Sequence, residues 1–219
     1  MAPVGERGLW LGPESRAAHR ADLAAFVDRA LRLDDAAVVR LRARSDELVT
    51  AWVATGFDAL ASRVVAGSLR PGDTSVAADA LGRGLAAMDE AGYVDLGFAM
   101  DSAWRGVLPP ESGFVHLDDV PAEVMADLAQ RGTRLAKEHS SSHGPPASLL
   151  DQEVIRVSSA GETVGLPMRC VFALTAMGFL PADGTGDLIR VRVLPTWLRL
   201  DARFGSVYRR RGDPALVLR

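Results

Sequence analysis

The sequence predicts an α+β fold: helices packed on an antiparallel β meander and hairpins, then a C-terminal helix with a small antiparallel sheet. Three observations predict it. The hydrophobic period changes from that of a helix to that of a strand between Leu31 and Val39. Consecutive alternating segments are joined by short turns, which favours antiparallel neighbours. A strongly apolar helical stretch, 168–177, is followed by a second set of alternating segments.

Residues 1–13 carry Gly and Pro and are expected to be loosely attached. Ser15 can cap a helix in which Leu23, Phe26, Val27, Ala30 and Leu31 share one buried face. Val39, Leu41 and Ala43 then alternate with Arg40, Arg42 and Arg44, the period of a strand with one wet face. After a turn at Ser45-Asp46-Glu47, Leu48–Ala54 and, past Gly56-Phe57-Asp58, Ala59–Ala66 read as further strands. Pro71-Gly72-Asp73 closes this group, and Thr74 or Ser75 can cap a helix with Val76, Leu81, Leu85 and Met88 inward. Gly82 and Gly84 cost that helix propensity. Residues 92–113 show no period.

Phe114–Leu117 predicts a short strand. Asp118, Asp119 and Pro121 suit the first turn of a helix running to about Glu138, with Val124, Leu128 and Leu135 inward. Val154–Val157 and Glu162–Val164 predict a hairpin across Ala160-Gly161. Pro167 opens the apolar helix and Gly178 ends it. Leu188–Leu194, Trp197–Asp201 and Ser206–Arg209 complete the sheet. The organisation expected is a flexible N-terminus, 1–13, an α+β subdomain, 14–139, a linker, 140–146, and a C-terminal α+β subdomain, 147–219.

Composition bounds the function. The 219 residues are 48% hydrophobic and 24% charged, as in an ordinary globular protein able to bury a core. The net charge of −3 gives no overall push toward nucleic acid or an anionic membrane. The longest apolar candidate, Val164–Leu180, is interrupted by Pro167 and Arg169, so no membrane partner is expected. The N-terminus lacks a basic region followed by an apolar stretch, and one cysteine excludes an intramolecular disulfide. The expectation is a cytoplasmic protein.

Residue types exclude several chemistries. Lys137 is the only lysine, and no glycine loop precedes it, so Walker-type nucleotide hydrolysis is excluded. Lys137 reads as a solvated helix end, which gives no support to Schiff-base chemistry. His139 and His143 are four apart but separated by Ser140-Ser141-Ser142, and no HExxH motif supports a metal site. His116 lies near Asp118 and Asp119 without a flanking nucleophile motif, and His19 stands alone. Cys170 falls in the most apolar helix, where a thiol packs as a small core residue. Gly184-Thr185-Gly186 follows a helix rather than a strand, which fails the context for dinucleotide binding. The carboxylate pairs Asp34-Asp35 and Asp89-Glu90 sit at helix edges, and nothing fixes two carboxylates at the separation that glycoside hydrolysis needs. No catalytic residue, metal or cofactor is expected.

The positive signal is at the C-terminus. Residues 186–219 carry eight arginines against three aspartates, a surplus of +5, so the remainder of the chain carries −8 of the −3 total. Arg190, Arg192, Trp197, Arg199, Arg203, Tyr208, Arg209, Arg210 and Arg211 are the candidate anion-binding residues, since guanidinium forks and aromatic planes suit phosphate and base contact. The order of helix 167–177, turn, strand, break and strand resembles the second half of a winged helix. That resemblance implies a recognition helix, but only Arg169 and Thr175 are polar on this one, so the hairpin arginines would make the contact. The functional expectation is a non-catalytic binding or regulatory protein using this β surface, with nucleic acid or an acidic protein as partner. A protein-interaction scaffold is the alternative, as is a dispersed site gathering His116, Asp118 or Lys137.

Overall fold

The computed structural model describes residues 7–14, 16–44, 47–139, 146–159, 161–181 and 186–212. The chain forms two compact units. The first comprises residues 1–54 and 62–107, and the second residues 55–61 and 108–219.

In the first unit, β1 (Gly8–Leu11) precedes α1 (Arg16–Leu33), β2 (Val38–Ala43), β3 (Leu48–Thr55) and β4 (Ala59–Arg70). β5 (Asp73–Ala77), α2 (Ala78–Ala86), β6 (Tyr93–Val94) and a 3-10 turn, Asp101–Ala103, follow. The sheet order is β5-β2-β3-β4, with β1 antiparallel to both β4 and β6. Helix α1 buries Leu23, Phe26, Val27 and Ala30, four of the five residues predicted to share its inner face. Strand β2 turns Val39 and Leu41 into the core and leaves Arg40 on the other face, as its alternation requires.

Two corrections arise here. Residues 8–11, expected to be loose, form β1, with Leu9 and Leu11 buried against the sheet. The four-residue alternation was too short to separate from a Gly/Pro-bearing terminus. Thr74–Ala77, expected to open a helix, instead pairs with β2, placing Val76 opposite Val39 and Thr74 opposite Leu41. Both Thr74 and Ser75 are buried. Hydrogen bonding to β2 outweighs the local capping tendency of these residues, and the helix starts at Ala78. Ser15, Ser45 and Asp46 lie outside the described residues.

In the second unit, β7 (Val115–Pro121), α3 (Ala122–His139) and α4 (Ala147–Asp151) precede β8 (Glu153–Ser159) and β9 (Glu162–Pro167). Helix α5 (Met168–Ala176) and strands β10 (Leu188–Leu194), β11 (Trp197–Ala202) and β12 (Gly205–Arg210) complete it. The sheet order is β12-β11-β10-β7, all antiparallel, and β8-β9 is a separate hairpin turned at Gly161. Helix α5 is buried except around Arg169, Thr175 and Ala176, and Gly178 ends it at φ 66°. There the Phe179 N–H donates to the Leu174 carbonyl, closing the terminus as a left-handed glycine allows. The predicted order of helix, turn and strands is present, but the strands form a meander joined by β7 rather than an isolated wing.

Asp118, Asp119 and Pro121 are strand residues, not a first helical turn. The inner face of α3 is Ala122, Met125, Ala129 and Gly132, whereas Val124 and Leu135 are exposed. The partner helix decides this. A Cβ on Gly132 would lie 2.9 Å from Met168 Sδ and 3.0 Å from Phe172 Cζ, so small residues set the approach of α3 to α5 and the larger ones turn outward. Of the expected linker, 140–145 lie outside the described residues. No helix among the described residues is long and apolar enough to cross a membrane.

Candidate nucleic-acid interface

Cross-strand partners share a face of a sheet, so the pairing of β7, β10, β11 and β12 sorts the candidate residues. Arg190 faces Asp201 and Asp119, Arg192 faces Arg199 and His116, and Leu194 faces Trp197. Tyr208 lies opposite Arg199 and Arg210 opposite Trp197. Arg190, Arg192, Trp197, Arg199, Tyr208 and Arg210 therefore occupy one face of the second unit's sheet. The other face carries Ile189, Val191, Val193, Leu198, Leu200 and Val207, all buried core.

The cationic face is internally neutralised around Asp201. Its carboxylate accepts from Arg199 Nε at 2.6 Å and from Ser206 Oγ at 2.6 Å, and Arg192 Nε lies 3.4 Å away. The Arg199 guanidinium lies over both the Phe114 and the Tyr208 ring, 5.5 and 5.3 Å from their centroids. Phe114 meets Tyr208 edge-on at 6.0 Å. Trp197 and Tyr208 are each only 6% exposed, so their planes serve packing and are not open platforms for a base.

The remaining candidates separate from this face. Arg209 sits on the opposite side of β12, 3.7 Å from both Asp58 and Asp151. Arg203, in the β11–β12 turn, lies 3.6 Å from Asp187 and over the Phe204 ring. Arg211 donates to Glu162 at 2.8 Å and to the Leu194 carbonyl at 3.1 Å. Arg190 and Arg210 are exposed and, among the described residues, pair with no carboxylate.

Two partners of the interface were missed in the sequence. Asp201 was counted only as a negative charge, although its spacing of two from Arg199 places both on one strand face. Phe114 reads in the sequence only as the start of a strand, and it reaches Arg199 through the fold alone.

On the first unit, Arg40 forms a bidentate pair with Asp73 at 2.7 Å, and this hydrogen bond to the carboxylate raises the Arg40 pKa above its ordinary value. The dispersed site fares poorly. His116 bonds Asp119 at 3.0 Å and is half exposed, while Asp118 and Lys137 are exposed on β7 and α3. Two clefts of the first unit, about 580 and 390 Å³, gather no histidine, lysine or cysteine. Among the described residues no group of three or more His, Cys, Asp or Glu could hold a metal ion. Cys170 is fully buried, and desolvation pushes its pKa up to about 12, which suppresses the nucleophilic thiolate.

The family described as Domain of unknown function (DUF8010) matches residues 5–106, and that described as Domain of unknown function (DUF8185) matches residues 109–214. No curated protein matches the chain. Among solved structures, a sliding clamp (DNA polymerase III subunit beta) from Bartonella birtlesii is 13% identical, with a TM-score of 0.55 over 94% of this chain. The beta subunit from DNA polymerase of Streptococcus pyogenes and the DNA polymerase sliding clamp from Bacillus subtilis are each 11% identical, with TM-scores of 0.57 over 98%. The fold is similar to that of bacterial sliding clamps. This chain spans 65% of the Bartonella chain and 68% of the other two.

Proposed function

We propose that the protein is a non-catalytic binding module that works at DNA as a scaffold, with the outer face of the β12-β11-β10-β7 sheet as its nucleic-acid contact. The observation that carries this reading is the likeness of fold to DNA polymerase sliding clamps over nearly the whole chain.

Arg190 and Arg210 are the primary phosphate contacts in this reading, because both are exposed and neither forms an ion pair among the described residues. Arg192 and Arg199 are held back by Asp201. Binding is then sequence-independent, since these arginines meet phosphate rather than base edges, and modest, since buried Trp197 and Tyr208 add no stacking.

The test is retention on duplex DNA across a salt series. Each lost phosphate contact lowers the log–log salt slope by about 1. Arg190→Ala combined with Arg210→Ala is expected to lower it by about 2, whereas Asp201→Asn, which releases Arg192 and Arg199, is expected to tighten binding. Absence of retention at low salt, or an unchanged slope in the double variant, would overturn the assignment.

A further inference from the structure

Strand β5 is the last strand of the first unit's sheet, and an exposed edge strand ordinarily offers a row of unpaired N–H and C=O groups to any incoming strand. In an antiparallel ladder those outward groups belong to alternate residues. On the five-residue β5 the central outward pair belongs to Ser75, and both of its groups are already taken. The Ser75 N–H donates to Asp101 Oδ1 at 2.5 Å, and the Met100 N–H donates to the Ser75 carbonyl at 2.7 Å.

Neighbouring contacts secure the covering segment. Thr74 Oγ1 lies 3.4 Å from Asp101 Oδ1 and accepts from Arg7 Nη2 at 3.0 Å. The other arm of Arg7 donates to the Gly97 carbonyl. On its inner side β5 is held to β2 at both ends, by the Ala43 N–H on the Gly72 carbonyl and the Ala78 N–H on the Ala37 carbonyl, where the chain turns into α2. Ser75 is 2% exposed.

We infer that β5 is closed to strand addition by a built-in edge cap, residues 97–103, fastened by the Asp101 carboxylate on the Ser75 amide. A second copy of this chain cannot extend the first unit's sheet through β5 while the cap is in place. The incoming strand would have to displace a charge-assisted hydrogen bond, which is shorter and stronger than the amide–carbonyl bond replacing it. What this edge presents instead is an apolar rim, Phe98 at 92% exposure and Met100 at 36%. The inference stands on these contacts and does not depend on DNA binding.

Full-length variants test it by amide hydrogen exchange and by sedimentation over a wide concentration range. Asp101→Ala removes the fastener and is expected to speed exchange of the Ser75 amide at least tenfold and to produce concentration-dependent self-association. Asp101→Asn keeps the acceptor oxygen and is expected to leave the association state unchanged. Ser75→Pro deletes the outward donor, which an edge strand tolerates, and in the Asp101→Ala background it is expected to abolish the new association. A folded Asp101→Ala protein with a fast Ser75 amide and unchanged mass would overturn the inference, as would an unchanged Ser75 exchange rate. Should Asp101→Ala fail to fold, Ser75→Pro alone decides: an unchanged association state supports the closed edge, and loss of an association present in the native protein refutes it.

Discussion

Replacing Gly82 or Gly84 by alanine adds one methyl group to the same helix, two residues apart, but into different surroundings. Both glycines adopt helical backbone in α2, so alanine gains about 1 kcal/mol of intrinsic propensity at either position. A Cβ on Gly82 would meet only Val27 Cγ1 at 3.5 Å, an ordinary contact. A Cβ on Gly84 would fall 2.0 Å from the Asp95 carbonyl oxygen, 3.0 Å from its carbon and 3.1 Å from Val94 Cγ1. The obstacle there is backbone, which no rotamer change relieves, so overpacking at the upper end of its usual range, about 3 kcal/mol, is expected. The net expectation is stabilisation by about 0.5–1 kcal/mol for Gly82→Ala and destabilisation by about 2 kcal/mol for Gly84→Ala. For a chain of this size those values shift the thermal midpoint up by about 1–4 °C and down by about 4–8 °C respectively. Urea unfolding followed by tryptophan fluorescence separates the two, provided m is unchanged. If Gly84→Ala were as stable as the parent, the close approach of α2 to the Val94–Asp95 strand end would have no energetic weight.

Cys170 gives a pH prediction. Its thiol is held protonated, with the pKa at about 12, while in the unfolded chain it ionises in the ordinary thiol range. Its contribution to stability is therefore complete below that range and is lost as pH rises toward about 12. Alkaline unfolding of Cys170→Ala should be less steep in that window, and an identical profile would refute the linkage. Arg169 gives a geometric prediction. Its side chain, 12% exposed, donates through Nε and Nη2 to Asp151 at 2.9 and 2.6 Å and through Nη1 to the Phe57 carbonyl at 3.1 Å. Arg169→Ala should cost about 1.5–3 kcal/mol, and Arg169→Lys should recover little of it because an ammonium cannot reproduce the fork. Equal stability of the lysine variant and the parent, measured by urea unfolding, would show that the fork geometry is irrelevant.

Much of the fold was legible because its elements are long enough to display a period. Helix α1, strands β2 to β4, the β8–β9 hairpin, α5 and the three strands after it all appear where apolar spacing places them. What escaped was short or contested. β1 has four residues, and β5 contains Thr74-Ser75, a pair whose side chains suit a helix cap as well as a strand. In α3 two apolar stripes compete, Val124-Leu128-Leu135 and Met125-Ala129-Gly132. The stripe with larger side chains was the natural choice, but the crowding of Met168 and Phe172 at Gly132 selects the smaller one.

The arginine surplus of residues 186–219 could be read from residue identity, and alternation alone placed Arg190 and Arg192 on the face opposite Ile189, Val191 and Val193. Identity and period are local properties, so they settle which residues are charged, which are apolar and which elements they build. Which arginines keep their charge for a ligand is a question of neighbours far along the chain. Arg209 lies beside Asp58 and Asp151, Arg211 reaches Glu162, and Arg199 is enclosed by Phe114 and Tyr208. Ion pairing falls off within a few ångströms, and sequence distance carries no information about it. Only the folded chain brought those groups together, leaving Arg190 and Arg210 as exposed arginines without an ion pair among the described residues of a segment that composition alone made look uniformly basic.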